Sequence, residues 1–339
     1  MRKISQTDLS KSLAALVLMD TKKNLAPLFL PACVKNFVEV KLKEKVADRS
    51  ILDILKRKFP GYLINLQTIR NIKAKVMPNY VYSPNDKISL QLIINETPEL
   101  FFHCDFDTNL FILSPGYKVN VENSSYFCID STHQTTFYGF YLTTILVIDD
   151  LNRGIPILHM ITENENDSTL KILFEILKQE FKMPSNFTLI SDDFAAYVGQ
   201  CNNVFGNIFD HILCRWYVRK NLRLNLRKKS SGDNNKALGL IEIITKTREK
   251  AIYYHAKRDL KNATSVEFFD YFIKYYDSRR EKWVPAFNSS RIFFNMHIES
   301  FHSLLKMHYF GKKRNKRADV LVYNLKKISA DMREKMING

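Results

Sequence analysis

The chain has 339 residues with 51 Lys and Arg against 35 Asp and Glu, a formal charge of +16. That balance suits a polyanionic partner bound in a salt-dependent way. No apolar run reaches the ~18 residues of a membrane helix, and no secretory leader or lipidation pattern is legible, so a soluble protein without membrane association is expected. The five cysteines are scattered without a Cys-x-x-Cys pair, which suits reduced thiols in a cytosolic or nuclear setting and excludes a zinc-knuckle arrangement.

In chain order, residues 50–59 and 65–77 read as two helices separated by Pro60-Gly61, with Arg70, Lys73 and Lys75 on the second. Such a pair is either a helix-turn-helix that reads DNA or an ordinary packing unit. A further helical pattern over 88–99 leads through 101–115 toward a core that starts near residue 123. Residues 1–122 are therefore read as a helical N-terminal region with possible DNA binding.

Three short apolar, β-favouring runs follow. The first, Tyr126 to Ile129, ends at Asp130; the second spans 137–148; the third spans 155–161, with Asn152-Arg153-Gly154 as the tight turn between the last two. Asn166-Asp167-Ser168 is N-cap chemistry, and Leu170, Leu173, Phe174, Leu177 and Phe181 repeat at helical spacing. A fourth run, Phe187 to Ile190, leads to Asp192. A short helix over 194–202, a strand over 208–214 and a basic helix from Arg215 complete the series. Three strands, helix, strand, helix, strand, helix is the order of a ribonuclease-H-like α/β fold, a mixed sheet flanked by helices, in which the first and fourth strands are neighbours. Asp130 and Asp192 would then emerge side by side.

The third acid, Glu299, lies in a helical stretch whose Ile298, Phe301 and Leu305 form an apolar stripe, leaving Glu299, His302, Ser303 and Lys306 opposite. Three carboxylates drawn together repel by roughly 4 kcal/mol per pair at 4 Å and an effective dielectric near 20. A hard cation, Mg2+ or Mn2+, relieves this, and two such ions suit in-line displacement at phosphorus. Each aspartate taken singly also fits a turn or cap.

Arg215, Arg219, Arg223 and Arg227 recur every four residues with Lys220, Lys228 and Lys229 alongside and no acid in the run. On one helix they form a stripe about 18 Å long, able to follow DNA phosphates or to stand as a solvated face. The long stretch between Asp192 and Glu299 exceeds what the core needs, and about 230–290 is read as a helical insertion rich in Tyr and Phe. Those rings either pack its core or stack on unpaired bases. A second basic cluster, Lys312, Lys313, Arg314, Lys316 and Arg317, opens a basic helical tail over 311–339 and fits backbone binding or a nuclear localisation signal.

The strings FCIDSTHQTTFYGFYLTTILVIDD, ITENEND, LISDDFAAYVGQCNNVF, HILCRWYVRKNL and NMHIESFHSLLK, in that order from Tyr126 to Lys306, resemble the Mutator-like (MULE) family of cut-and-paste DNA transposases. The resemblance implies a DDE-type, ribonuclease-H-like catalytic core over 123–310, with Asp130, Asp192 and Glu299 as catalytic residues and ligands of two metal ions, Asp130 bridging both. It implies strand cleavage at element ends followed by strand transfer, with terminal repeats and target DNA as partners, a homodimer or larger assembly, and a nuclear location. The alternatives are a domesticated DNA-binding transcriptional regulator without catalysis and a metal-dependent DNA nuclease. The family usually carries Cys-x-x-His where this chain has Cys214-Arg215-Trp216-Tyr217. Cys214 is accordingly a packing residue or an auxiliary, Asp193 the N-cap of the following helix, and His302 either a metal or phosphate contact or a hydrogen-bonded histidine. Arg215, Arg219, Lys220, Arg223, Arg227, Lys306, Lys312, Lys313 and Arg314 are the expected DNA contacts. Relatives often carry a zinc-binding domain upstream, so the chain is either a fragment or recognises its ends by other means.

Overall fold

The computed structural model describes residues 30–338, apart from 45, 63, 76–80, 231–233, 294 and 312–315. The chain divides into two compact units, the first ending at Asn79 and the second beginning at Tyr80.

In the first unit, helices α1 (Ala32–Lys43), α2 (Asp48–Lys58) and α3 (Leu66–Lys75) enclose a small core of Val34, Val38, Ile51, Leu55, Ile64 and Ile69. The two helices expected around Pro60-Gly61 are α2 and α3, with Met77 outside the described residues. Lys73 of α3 pairs with Asp48 at 2.7 Å, so one of the three cations expected on this helix is engaged within the bundle.

The second unit opens with α4 (Asp86–Glu96), capped by the Asn85 side chain, and then forms strands β1 (Phe101–Asp105) and β2 (Leu110–Leu113). Residues 101–113 were expected to be a connector inside a helical region; they are instead a hairpin on the edge of the sheet. Asp105 Oδ1 accepts from the amides of Asp107 and Thr108, and Asn109 turns the chain at φ 52°. Strands β3 (Tyr126–Thr132), β4 (Tyr141–Ile148) and β5 (Gly154–Thr162) form an antiparallel meander. Helix α5 (Asp167–Glu180) crosses to β6 (Phe187–Ser191), which pairs parallel to β3; α6 (Ala195–Phe205) then leads to β7 (Phe209–Leu213), parallel to β6. The seven strands stand in the order β1-β2-β5-β4-β3-β6-β7, a mixed α/β sheet flanked by helices.

Local sequence explains the crossover. Asn166 Oδ1 accepts from the amides of Ser168 and Thr169, and the Thr169 hydroxyl meets the Asn166 amide, closing a capping box. The apolar stripe of α5, including Leu170, Leu173 and Phe174, is fully buried on the sheet. Asn166→Ala should therefore cost about 1 kcal/mol, read as a lower urea midpoint with an unchanged slope.

Helix α7 (Arg215–Lys229) follows β7, and the stretch expected as an insertion, about 230–290, holds α8 (Asn234–Lys246), α9 (Lys250–Ala263) and α10 (Val266–Tyr275), which share with α7 and Trp283 a core separate from the sheet's own. Most of its rings are packing groups: Tyr253, Phe268 and Phe272 are fully buried, while Tyr254 and Tyr275 are exposed. Helix α11 (Met296–Leu304) runs into a π-helical turn, Leu305–Tyr309, and α12 (Ala318–Asn338) follows. The basic tail is thus partly core, because Leu321, Val322, Leu325 and Ile328 are buried with Phe301 and Leu305 against one sheet face.

Candidate functional site

Parallel pairing of β3 with β6 sets Cys128 opposite Ile190. Continued two residues, that register brings Asp130 and Asp192 onto adjacent backbones at the same end of the sheet. Helix α11 packs across β3 through Ile298, and the Asn295 side-chain amide donates to the Ile129 carbonyl at 3.3 Å, anchoring the helix start one residue from Asp130. Asp130 is buried. Its carboxyl is pushed up to about 7, chiefly by desolvation, then by the charge of Asp192, with Glu299 adding to the same effect and the Tyr217 hydroxyl opposing it. Burial also raises Asp192 and Glu299, the latter against the pull of Lys220.

Asp192 and Glu299 thus both act electrostatically on Asp130, but the three do not close into a ligand set: among the described residues, no three His, Cys, Asp or Glu side chains are arranged to hold a metal ion. The Tyr217 hydroxyl instead lies 3.3 and 3.2 Å from the two oxygens of Asp130. Glu299 Oε1 is buried without a hydrogen-bond partner. An orphaned carboxylate oxygen beside a carboxyl raised toward neutrality is a donor set short of positive charge, and its all-oxygen chemistry fits a hard dication.

Tyr217, one helical turn into α7 where the resemblance leads one to expect His, is a site residue whose contact the sequence did not disclose; it joins Asp130 across 87 positions. Removing its hydroxyl, Tyr217→Phe, should move the Asp130 titration above its present value near 7, read by carboxyl carbon NMR. Glu165 was missed as well. Its Oε1 accepts from Thr143 at 2.8 Å, from Tyr197 at 2.9 Å and from Ser131, placing a fourth carboxylate close enough to raise Asp192. Its only signal was membership in the ENEND string.

The auxiliaries divide. His302 is buried, with Nε2 3.3 Å from Thr144 Oγ1 and Nδ1 3.8 Å from Asp130 Oδ2; desolvation lowers it to about 3, so it is a neutral, hydrogen-bonded histidine behind the acid. Cys214 is a buried thiol whose sulfur accepts from the Asn295 amide at 3.3 Å. Asp193 does not cap α6: the residue at the cap is Phe194, whose amide is taken by Asp192 Oδ1 at 3.0 Å. The reason is competition, since Asp193 is drawn outward into a two-pronged pair with Arg279 of the insertion.

The arginine stripe differs from its expected uniform charge. Glu242 of α8 accepts from Arg219 at 2.9 Å and from Arg223 at 2.8 Å, so the acid missing from the run arrives from a distant segment. Lys220, whose ammonium sits 5.0 Å over the exposed Trp216 ring, and Arg227 line an adjoining groove of about 340 Å³. Lys306 donates to Thr132 Oγ1, two residues beyond Asp130. Lys312, Lys313 and Arg314 lie outside the described residues, and Arg317 is tied to Asp319 at 2.8 Å.

Residues 126–221 match the family model of the MULE transposase domain. The match spans β3 to the middle of α7 and includes Asp130, Asp192 and Tyr217, while Glu299 lies beyond it. No curated protein matches the chain.

Proposed function

The chain belongs to the Mutator-like transposase family through its MULE transposase domain at residues 126–221, and from that premise we propose that it is a DDE-type DNA transposase that cuts element ends and joins them to target DNA. The observation that carries this reading is Asp130, raised to about 7 chiefly by burial and then by the charges of Asp192 and Glu299, together with an unpartnered Glu299 oxygen. Perturbed carboxyls on two adjacent strands of an open α/β sheet and on a helix packed across them suit phosphoryl chemistry conducted by charge neutralisation.

In this reading Asp130, Asp192 and Glu299 would hold Mg2+ or Mn2+, two ions being expected, and Tyr217 would yield its contact with Asp130. When bound, the ions supply neutralisation of the acids and of the charge that develops at phosphorus. Lys220 and Lys306, which flank the acids, would position the scissile strand by its phosphates, and Arg227 would extend that contact along α7. His302, kept neutral by burial, would hold the acid end of β3 in place through Thr144. A nuclear location and an assembly of two or more copies that pairs the element ends belong to the same proposal. Among the described residues, no helix is long and apolar enough to cross a membrane.

The test is strand transfer with labelled end duplex, supercoiled target and Mg2+. Covalent donor-target product is expected. Hydrolysis without joining would make the protein a nuclease, and binding without any cut would make it a regulator.

A further inference from the structure

A second basic cleft lies at the start of α11, the helix that carries Glu299. The start of α7, the end of α8, the start of α11 and the β4–β5 turn enclose a cleft of about 270 Å³ lined by Arg215, Lys246, Arg248 and Arg291, with no Asp or Glu among its described lining residues. Arg215 is fixed in place: Nη1 donates to the Thr245 carbonyl at 2.9 Å and the guanidinium lies 5.5 Å from the Phe293 ring centroid. Lys246 leans on Glu242 at 3.3 Å. Arg248 and Arg291 are exposed, and among the described residues neither forms an ion pair with a carboxylate. Arg291 is positioned through its backbone amide, which donates to the Tyr126 hydroxyl at 3.2 Å.

Like charges gathered in one cleft repel. Burial, then Arg219 and Arg248, lower the Arg215 guanidinium from its ordinary value, against the opposing pull of Glu242. Planar guanidinium forks at a cleft match the paired oxygens of a phosphate. The cleft borders the acid site without containing it: Met296 and His297 of its lining precede Glu299 on α11, while its β4–β5 turn begins after Ile148, four residues along β4 from the Thr144 that pairs with Asp130.

We propose that this cleft binds a phosphate of the DNA backbone without regard to base sequence, holding duplex beside the acids through side chains that take no part in the chemistry. The inference rests on the transposase reading for the identity of the polyanion, but its test stands apart from catalysis. Fluorescence anisotropy with a labelled duplex of arbitrary sequence is measured across a salt series for the full chain, the double variant Arg248→Gln/Arg291→Gln, the charge-preserving Arg248→Lys/Arg291→Lys, and Lys171→Gln, an exposed lysine of α5, as control. The Gln variant should bind about tenfold more weakly, with a log-log salt slope shallower by about 1 to 2, since each neutralised phosphate contributes about 0.9. The Lys variant should recover most of the slope, the control should match the parent, and circular dichroism should show all four equally folded. A Gln variant with parental affinity and slope overturns the cleft whatever the strand-transfer assay shows. A parent chain that binds duplex through the cleft yet forms no donor-target product supports the cleft and defeats the transposase reading.

Discussion

Asp130→Asn is expected to lower Mg2+-dependent strand cleavage by about 10³-fold or more while leaving duplex affinity within about threefold. Cation neutralisation at phosphorus supplies several kcal/mol of transition-state stabilisation, each 1.36 kcal/mol being tenfold in rate. The phosphate contacts that dominate affinity lie elsewhere. The same substitution should stabilise the protein in EDTA at high pH. Raised from 3.8 to about 7, the carboxyl keeps its proton in the native state over a range where the unfolded chain has released it. Stability therefore falls as pH rises from about 4 to about 7 and is flat above, with a ceiling near 4 kcal/mol for this group. Urea midpoints of parent and variant should accordingly converge near pH 4 and separate by pH 8, the Asn variant being higher. Mg2+ should raise the parent midpoint at pH 8 and leave the variant's nearly unmoved. Equal midpoints at both pH values in EDTA would mean that Asp130 carries no such desolvation cost.

What the chain disclosed before folding follows from the range over which its signals act. Strands β3 and β6 were legible because each holds a short apolar, β-favouring run followed by an acid, although β3 continues past Asp130 to Thr132, and α5 because its cap and stripe lie within fifteen residues of one another. The hairpin of β1 and β2 was not, since Leu110–Leu113 is buried throughout and shows no alternation, the signature by which a half-exposed strand is usually found. Strand β4 starts at Tyr141, four residues after the expected 137, although Phe137 and Tyr138 are β-favouring residues. They are exposed, and Gly139 turns the chain at φ 75° before the ladder begins. The charge on α7 is partly neutralised in a way local patterning cannot see, because Glu242 reaches Arg219 and Arg223 from α8, 23 and 19 residues along the chain. Tyr217 and Asp130 present the same difficulty in sharper form. A residue type could be noted as unusual at its position, while its contact required the whole sheet to be in place.

Trp283→Ala should cost about 4 kcal/mol, the range for removing a large buried aromatic. The indole is fully buried, donates from Nε1 to the Tyr276 carbonyl at 3.0 Å and packs edge-on against the Tyr276 ring at 6.2 Å. It lies in the cluster that gathers Leu222 and Leu226 of α7, Ile241 of α8, Tyr253 of α9 and Phe272 of α10, so truncation opens a cavity common to four helices and orphans a carbonyl. Because this cluster is separate from the one under the sheet, the loss should fall unevenly. Hydrogen exchange should quicken in α8 to α10 well before β3 to β5, as expected of a locally opening unit. A functional consequence follows through Glu242. Once α8 loosens, Arg219 and Arg223 lose the partner that fixes them, and Lys246 no longer borders the basic cleft, so duplex affinity should fall even though no DNA contact was altered directly. Uniform quickening of exchange across insertion and sheet would show instead that the two cores unfold as one, and that the helical insertion has no stability of its own to lose.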